Sequence, residues 1–360
     1  MDKILYKSSS LPAMQNVLFA NKEDALSSPR ADLSLVMDPT GFVFNAAFDP
    51  DLVQYNVDYQ NDQGYSDAFK KHLLDVIQLC RQFCLNPSSL VVDVGCGKGG
   101  FVDLMRLQGI NAVGYDNTYE GNSLYIRKSF FNEDAHEYGD LLTLRHVLEH
   151  VQNPWVFIRE LAVANGKKGF LYVEVPDLHW ILKNHAYYDL FHEHVNYFCA
   201  EDFARCFSDA LCSTFSLFNG QYLGIILDLS LVLDCNDPII APQSYHKYLV
   251  SSFNSLREHE IIAYDKALSC NNLVIWGGAS KGVVFAAKAP KNVSDKFLFA
   301  IDINPNKAHK FMPLSGVEVL QPQQGLELLK PDDTVMIVNP NYEEEIVSCL
   351  PHDHPYQVLR

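Results

Sequence analysis

The run Leu90–Met105, LVVDVGCGKGGFVDLM, constrains this chain more than any other, because an apolar strand passes through a glycine-rich turn straight into an amphipathic helix. Gly95, Gly97, Gly99 and Gly100 follow Asp93, so the backbone can turn tightly and admit a ligand with no Cβ in the way. A second short apolar run, NAVGYD, ends in Asp116, an acid placed to accept hydrogen bonds from both hydroxyls of a ribose. Together they read as a nucleotide-binding βα turn.

At 360 residues and 48% hydrophobic content the chain can bury more than one core, and two or three domains are expected. It has no run of eighteen uncharged apolar residues, and its start, MDKILYKSSS, lacks the hydrophobic region of a signal peptide. A soluble cytoplasmic protein with no membrane partner is the expectation. Nine cysteines without regular spacing suit reduced thiols. The net charge of −16 argues against nonspecific binding to nucleic acid. Residues 266–310 run the other way, with seven lysines against Asp295 and Asp302. That excess fits either a dock for an anionic small molecule or a solvated lysine surface.

The expected fold class is α/β. Residues 1–70 carry turn signals and weak periodicity and read as a small irregular cap or lid. Residues 71–235 alternate helices and strands, ending in a hairpin near Asn219-Gly220, and predict a doubly wound Rossmann-like sheet. Residues 236–268 read as a connecting helix. Residues 269–360 repeat the plan, with NLVIWGGASKGVVFAAKA supplying strand, glycine turn and helix, and predict a second, smaller Rossmann-like domain of four strands. There Gly277, Gly278 and Gly282 with Ser280 and Lys281 offer a place for a phosphate, or a turn kept only for packing.

Chemistry concentrates in HAYYDLFHEHVNYF, residues 185–198, which emerges at the carboxyl edge of the sheet. In an extended backbone His192, His194 and Asn196 share one side and Glu193 and Tyr197 the other; in a helix Asp189 nears Glu193 and His192 nears Asn196. Three readings stand: a metal site on His192 and His194, which lacks an obvious third ligand and leads to an expectation of no metal; a structural polar network; and a general base beside a methyl donor.

The segment Asp93-Val94-Gly95-Cys96-Gly97-Lys98-Gly99 resembles motif I of class I S-adenosylmethionine-dependent methyltransferases, D-x-G-x-G-x-G. LLTLRHVLEHVQNP (141–154) and FLYVEVPD (170–177) resemble their fourth and fifth strands. Over most of its length the chain resembles the bacterial three-domain sugar C-methyltransferases, through RHVLEH (145–150), FHEHVNYF (191–198), IWGGASKG (275–282), DINPNKAHKFMP (302–313) and NPNY (339–342). The resemblance implies methylation of a keto nucleotide sugar beside its ketone, with His194 as base, Glu193 as its partner and His192 in the same stretch. Two departures stand out. The family's tyrosine is Phe191, which has no hydrogen to donate, so Tyr188, Tyr197 or His192 would have to substitute, and residues 1–70 hold no cysteine for the family's zinc.

The expected donor site is Asp93, Gly95, Gly97, Asp116 and His146, with Tyr59, Gln63 and Ser66 of YQNDQGYS closing over it. Tyr188, Asn196, Tyr197, Ser280 and Lys281 are the expected acceptor contacts, and S-adenosylmethionine the expected cofactor. Glu149 and His150 read as orienting groups or solvent-facing ones. The expected function is methyl transfer to a nucleotide-linked sugar, at carbon, oxygen or nitrogen. The alternatives are an O- or N-methyltransferase acting on another small metabolite, a non-catalytic protein that keeps the donor fold, and a dehydrogenase using the C-terminal turn.

Overall fold

Three sheets organise the chain, and the computed structural model describes residues 3–54, 59, 64–82, 86, 88–235 and 239–360 of it. The first sheet is antiparallel, from β1 (Lys3–Pro12), β2 (Arg30–Met37) and β3 (Val43–Asn45). The N-terminal part is therefore more regular than its sequence suggests. The β1–β2 register shifts between Ile4 and Tyr6 and again between Ser8 and Leu11. Each shift interrupts the two-residue alternation by which a half-buried strand is recognised.

The central sheet is built from β4 (Leu90–Val94), β5 (Asn111–Tyr115), β6 (Ile126–Arg127), β7 (Leu141–Arg145) and β8 (Phe170–Pro176), with every neighbouring pair among them parallel. β9 (Asn196–Tyr197) leaves this sheet and pairs with β3. β10 (Leu211–Leu217) and β11 (Tyr222–Asp228) form the expected hairpin, which adds antiparallel to β8. Phe218 and Asn219 at its tip take left-handed φ of 48° and 54°. The spatial order is β10-β11-β8-β7-β4-β5-β6, an open, mostly parallel α/β sheet. Ahead of it the helix Asp67–Cys80 starts earlier than its apolar pattern suggests, because the Ser66 hydroxyl caps it by accepting from the Phe69 N–H.

The connecting helix, Gln243–Leu268, buries Leu249, Phe253, Leu256, Tyr264 and Ala267 along one stripe. It leads to β12 (Asn272–Trp276), β13 (Phe297–Ile301), β14 (Val319–Leu320), β15 (Asp333–Ile337) and β16 (Tyr356–Val358), a parallel sheet in the order β14-β13-β12-β15-β16. The short β16 is a fifth strand beyond the four expected. One apolar core joins Leu5 and Leu33 of the first sheet, Leu178 to Phe191 of the central part, the connecting helix and β12. The chemistry-bearing stretch is thus packed between all three parts. Among the described residues no helix is long and apolar enough to cross a membrane, and Cys96, Cys199, Cys206, Cys212, Cys235, Cys270 and Cys349 are free thiols.

Candidate active site

Strand order reverses between β4 and β7, and open α/β sheets bind ligands at the carboxyl ends of strands beside such a point. Gly95, Gly97 and Gly99 line it with φ of 72°, 55° and 84°. A Cβ on Gly95 would stand 2.5 Å from Val147 Cγ2, whereas one on Gly97 would meet nothing within 4 Å. The turn is packed below and open above. The Gly97 N–H donates to Asp116 Oδ2 at 2.9 Å, while the Thr118 N–H and hydroxyl donate to Oδ1. Bare backbone beside a half-buried acid fits a nucleoside with a methionine tail.

Asp93 lies beneath the turn rather than on its open face. It is buried, accepts from Thr143 Oγ1 at 2.6 Å, and burial pushes its pKa up to about 6 against the opposing pull of Thr143 and Arg145. Ser66, as helix cap, also donates to Glu345 Oε2 at 2.7 Å. Tyr59 donates to Glu193 Oε2 at 2.8 Å and accepts from Asn16 Nδ2. Gln63 lies outside the described residues.

Behind the turn, fully buried Glu174 at the end of β8 gathers four side chains. Its Oε1 lies 2.9 Å from Arg145 Nη2, 3.0 Å from His72 Nε2 and 3.1 Å from His146 Nε2, and Oε2 accepts from the Tyr172 hydroxyl at 2.5 Å. Burial disfavours the carboxylate, but Arg145, His146 and His72 outweigh it and hold its pKa well below the usual range. Burial likewise disfavours a charged His146, yet Glu149 and Glu174 raise its pKa to about 9. His146 is therefore a cation at neutral pH, held with a left-handed φ of 53°. Nothing in the sequence marks Glu174 except a lone acid in the apolar run FLYVEVP.

The HAYYDLFHEHVNYF stretch is neither a helix nor one extended strand, and its two central histidines face different surroundings. His192 donates from Nδ1 to the Asp32 carbonyl at 2.7 Å, accepts the Asp49 N–H at Nε2, and stacks on Phe48. One nitrogen thus holds the backbone of β2 and the other the turn that follows β3. Glu193, fully buried, accepts the Gln15 N–H at 3.0 Å and the Tyr59 hydroxyl. His194 turns inward, with its ring centroid 4.9 Å from His150 and 4.7 Å from Phe191, both edge-on. It is 7% exposed, and its buried Nδ1 has no hydrogen-bond partner among the described residues. Burial, then His150, Lys281 and His146, push its pKa well below the ordinary histidine value, so the imidazole is neutral.

Glu149 and His150 are the residues that sequence reasoning undervalued. Ligand atoms of Glu149, His150 and His194 all lie within 4.8 Å of one another, and Glu149 Oε2 is also buried without a partner. His192 is not part of this cluster; two of its three members, Glu149 and His150, come from more than forty residues upstream, where the turn after β7 folds against the stretch. His150 Nδ1 lies 3.0 Å from the Glu193 carbonyl, which ties the two segments together.

The acceptor-side candidates divide. Tyr188 donates to the Leu359 carbonyl at 2.8 Å, Asn196 donates to the Val151 carbonyl at 2.6 Å, and the Tyr197 hydroxyl bridges the Phe191 N–H and carbonyl. All three brace the stretch. The Ser280 N–H donates to the Gln15 carbonyl and its hydroxyl to Asn16 Oδ1, so residues 15 and 16 cover the C-terminal turn. Lys281 pairs with Asp189. Four of the seven lysines are drawn into ion pairs: Lys281, Lys288 and Lys307 with the buried or half-buried Asp189, Glu260 and Asp302, and Lys291 with the exposed Asp295. The excess is less of an anion dock than the count implies. Asp302, the counterpart of Asp116, is buried under the Gly278 N–H and Lys307 Nζ.

Residues 36–210, just under half of the chain, match the family described as methyltransferase domain. The C-methyltransferase NovU of Streptomyces niveus is 26% identical over 142 residues, covering 36% of this chain and 34% of NovU. The chain thus spans about a third of that relative's length. Among solved structures, magnesium protoporphyrin IX methyltransferase from Synechocystis PCC 6803 with bound SAM is 16% identical over 44% of this chain and 78% of its own (TM-score 0.33). A SAM-dependent methyltransferase from Archaeoglobus fulgidus is 16% identical over 43% and 94% (TM-score 0.32). Likenesses that low bear on nothing beyond themselves. The domain match and the order of the central sheet make the identification: this chain carries a class I methyltransferase domain, whose methyl donor is S-adenosylmethionine.

Proposed function

We propose that the protein methylates a carbon beside the carbonyl of a nucleotide-linked sugar, with His194 as the general base. The observation that carries this reading is the buried, neutral imidazole of His194 with an unpartnered Nδ1, near the switch-point crevice. S-Adenosylmethionine, when bound, supplies a methyl group activated by its sulfonium. Gly95, Gly97 and Asp116 hold the donor, with Asp116 exchanging its present partners for the ribose. His194 Nδ1 takes the acceptor's proton. The apolar ring of Phe191 and the tight packing around the stretch lower the polarity around the imidazole, which keeps it in its neutral, basic form. The likeness to a C-methyltransferase over 142 residues, and the five segments that resemble the sugar C-methyltransferases, support carbon as the target.

The experiment is calorimetric titration with S-adenosylhomocysteine, then with a panel of nucleoside diphosphates in the same cell. Binding of both supports the reading; binding of the donor product alone moves the acceptor to another class of metabolite. Asp116→Ala is expected to weaken S-adenosylhomocysteine binding by about 10- to 100-fold, the range for hydrogen bonds to a charged acceptor. An unchanged dissociation constant would assign the ribose elsewhere.

A second reading follows from Glu149, His150 and His194, which could hold a divalent cation. A metal on His194 would remove it as a base. Under the favoured reading, turnover survives dialysis against a chelator unchanged; loss on dialysis and recovery with one metal would replace it.

A further inference from the structure

A proton taken from carbon leaves negative charge on the neighbouring oxygen, and that charge needs a donor. Phe191 has none, and the groups best placed by sequence to stand in for a hydroxyl are committed elsewhere. The Tyr197 hydroxyl serves the Phe191 backbone, that of Tyr188 the Leu359 carbonyl, and both nitrogens of His192 the backbone of Asp32 and Asp49. His146 is held between Glu149 and Glu174.

Lys281 remains. It opens the helix Lys281–Lys288 immediately after the C-terminal glycine turn. Ser280 is fastened to Gln15 and Asn16, and the Gln15 N–H in turn reaches Glu193, next to His194. The ammonium pairs with Asp189, two residues before Phe191, and its side chain is 10% exposed. Among the described residues Asp189 is the one partner recorded for it, which leaves further N–H donors on a group that carries three. Its charge is felt at His194, where only burial and His150 act more strongly.

We propose that Lys281 is a catalytic residue of the central site, donating to the acceptor oxygen on which negative charge develops when His194 removes the neighbouring carbon-bound proton. This rests on the acceptor reading above. In the step, Nδ1 of His194 gains the proton, the C–H electron pair becomes the C=C bond, and the carbonyl π pair moves onto oxygen. The enolate charge is matched by the imidazolium and held by the ammonium. The step needs no methyl donor and is reversible, so an imidazolium that exchanges with heavy water returns deuterium to carbon.

The test is deuterium incorporation at the carbon next to the ketone, followed by NMR, with a nucleoside diphosphate ketosugar, S-adenosylhomocysteine and the full chain in heavy water. Lys281→Met is expected to slow exchange by about 10²- to 10³-fold, the usual cost of one oxyanion donor. Lys281→Arg is expected to recover most of the rate, and sugar-nucleotide affinity should move little. Lys281→Met leaves Asp189 buried and unpaired, so Asp189→Asn/Lys281→Met serves as the folding control and should be equally slow. Exchange at the normal rate in either methionine variant, with wild type active, overturns this assignment and leaves the acceptor reading intact. A wild-type protein that binds the ketosugar without exchanging overturns both.

Discussion

His194→Ala is expected to lower turnover by about a thousandfold and to leave S-adenosylhomocysteine affinity unchanged. General-base catalysis by one positioned side chain is worth about 10²- to 10⁴-fold, and this imidazole is placed for little else. Its ring packs edge-on against His150 and Phe191, and its Nδ1 has no hydrogen-bond partner among the described residues. The pH profile carries an independent signature. Burial, His150, Lys281 and His146 all disfavour the imidazolium, so the basic form persists well below the ordinary histidine range. The acid limb of the rate profile should therefore fall at lower pH than an exposed histidine would give. A limb near the ordinary value, or an active alanine variant, would move the base to another group.

Glu174→Ala should be the most damaging single change to the fold, at about 3–5 kcal/mol, the cost of leaving buried charges without their partner. It would strand Arg145 and His146 at once, and His72 and Tyr172 would lose their acceptor. Thermal or urea unfolding reads this directly. The same hub sets a pH window. Glu174 has a folded pKa below its unfolded value, so its stabilisation is present above the ordinary carboxylate range and is lost as pH falls through the folded value. His146 has a folded pKa raised from 6.5 to about 9, so its contribution is complete below 6.5 and is lost as pH rises through 9. Stability should fall between neutrality and pH 10, and His146→Gln should flatten that fall. An unchanged alkaline limb would show that His146 is not charged in the folded state.

Most of the central sheet was legible because β4, β5, β7 and β8 are mainly apolar runs bounded by turn residues, whereas the two-residue β6, Ile126–Arg127, is too short to carry any pattern. Leu90–Val94 and the glycines after it are local, and so was their reading. β1 and β2 were not legible, since two register shifts break the alternation that would mark them. Glu174 was missed for a different reason: one acid in an apolar strand looks the same in sequence whether it faces water or four partners. The pairing of His194 with His150, and of Asp189 with Lys281, joins segments 44 and 92 residues apart, a relation that no spacing encodes. His192 shows the converse error. Proximity in sequence to His194 suggested a shared task, whereas a bend between them gives His192 to the backbone of Asp32 and Asp49.

β9, two residues long, is borrowed by the first sheet from the heart of the methyltransferase domain, and Ser280 fastens the C-terminal turn to the loop at Gln15. Exchange of a terminal part between relatives would therefore not be a neutral swap of modules. An incoming N-terminal part must present an edge that accepts Asn196 and Tyr197, and an incoming C-terminal part must match residues 15 and 16. Recombination within such a lineage is constrained at these seams, and variation in what the enzyme accepts must arise mainly by substitution around them.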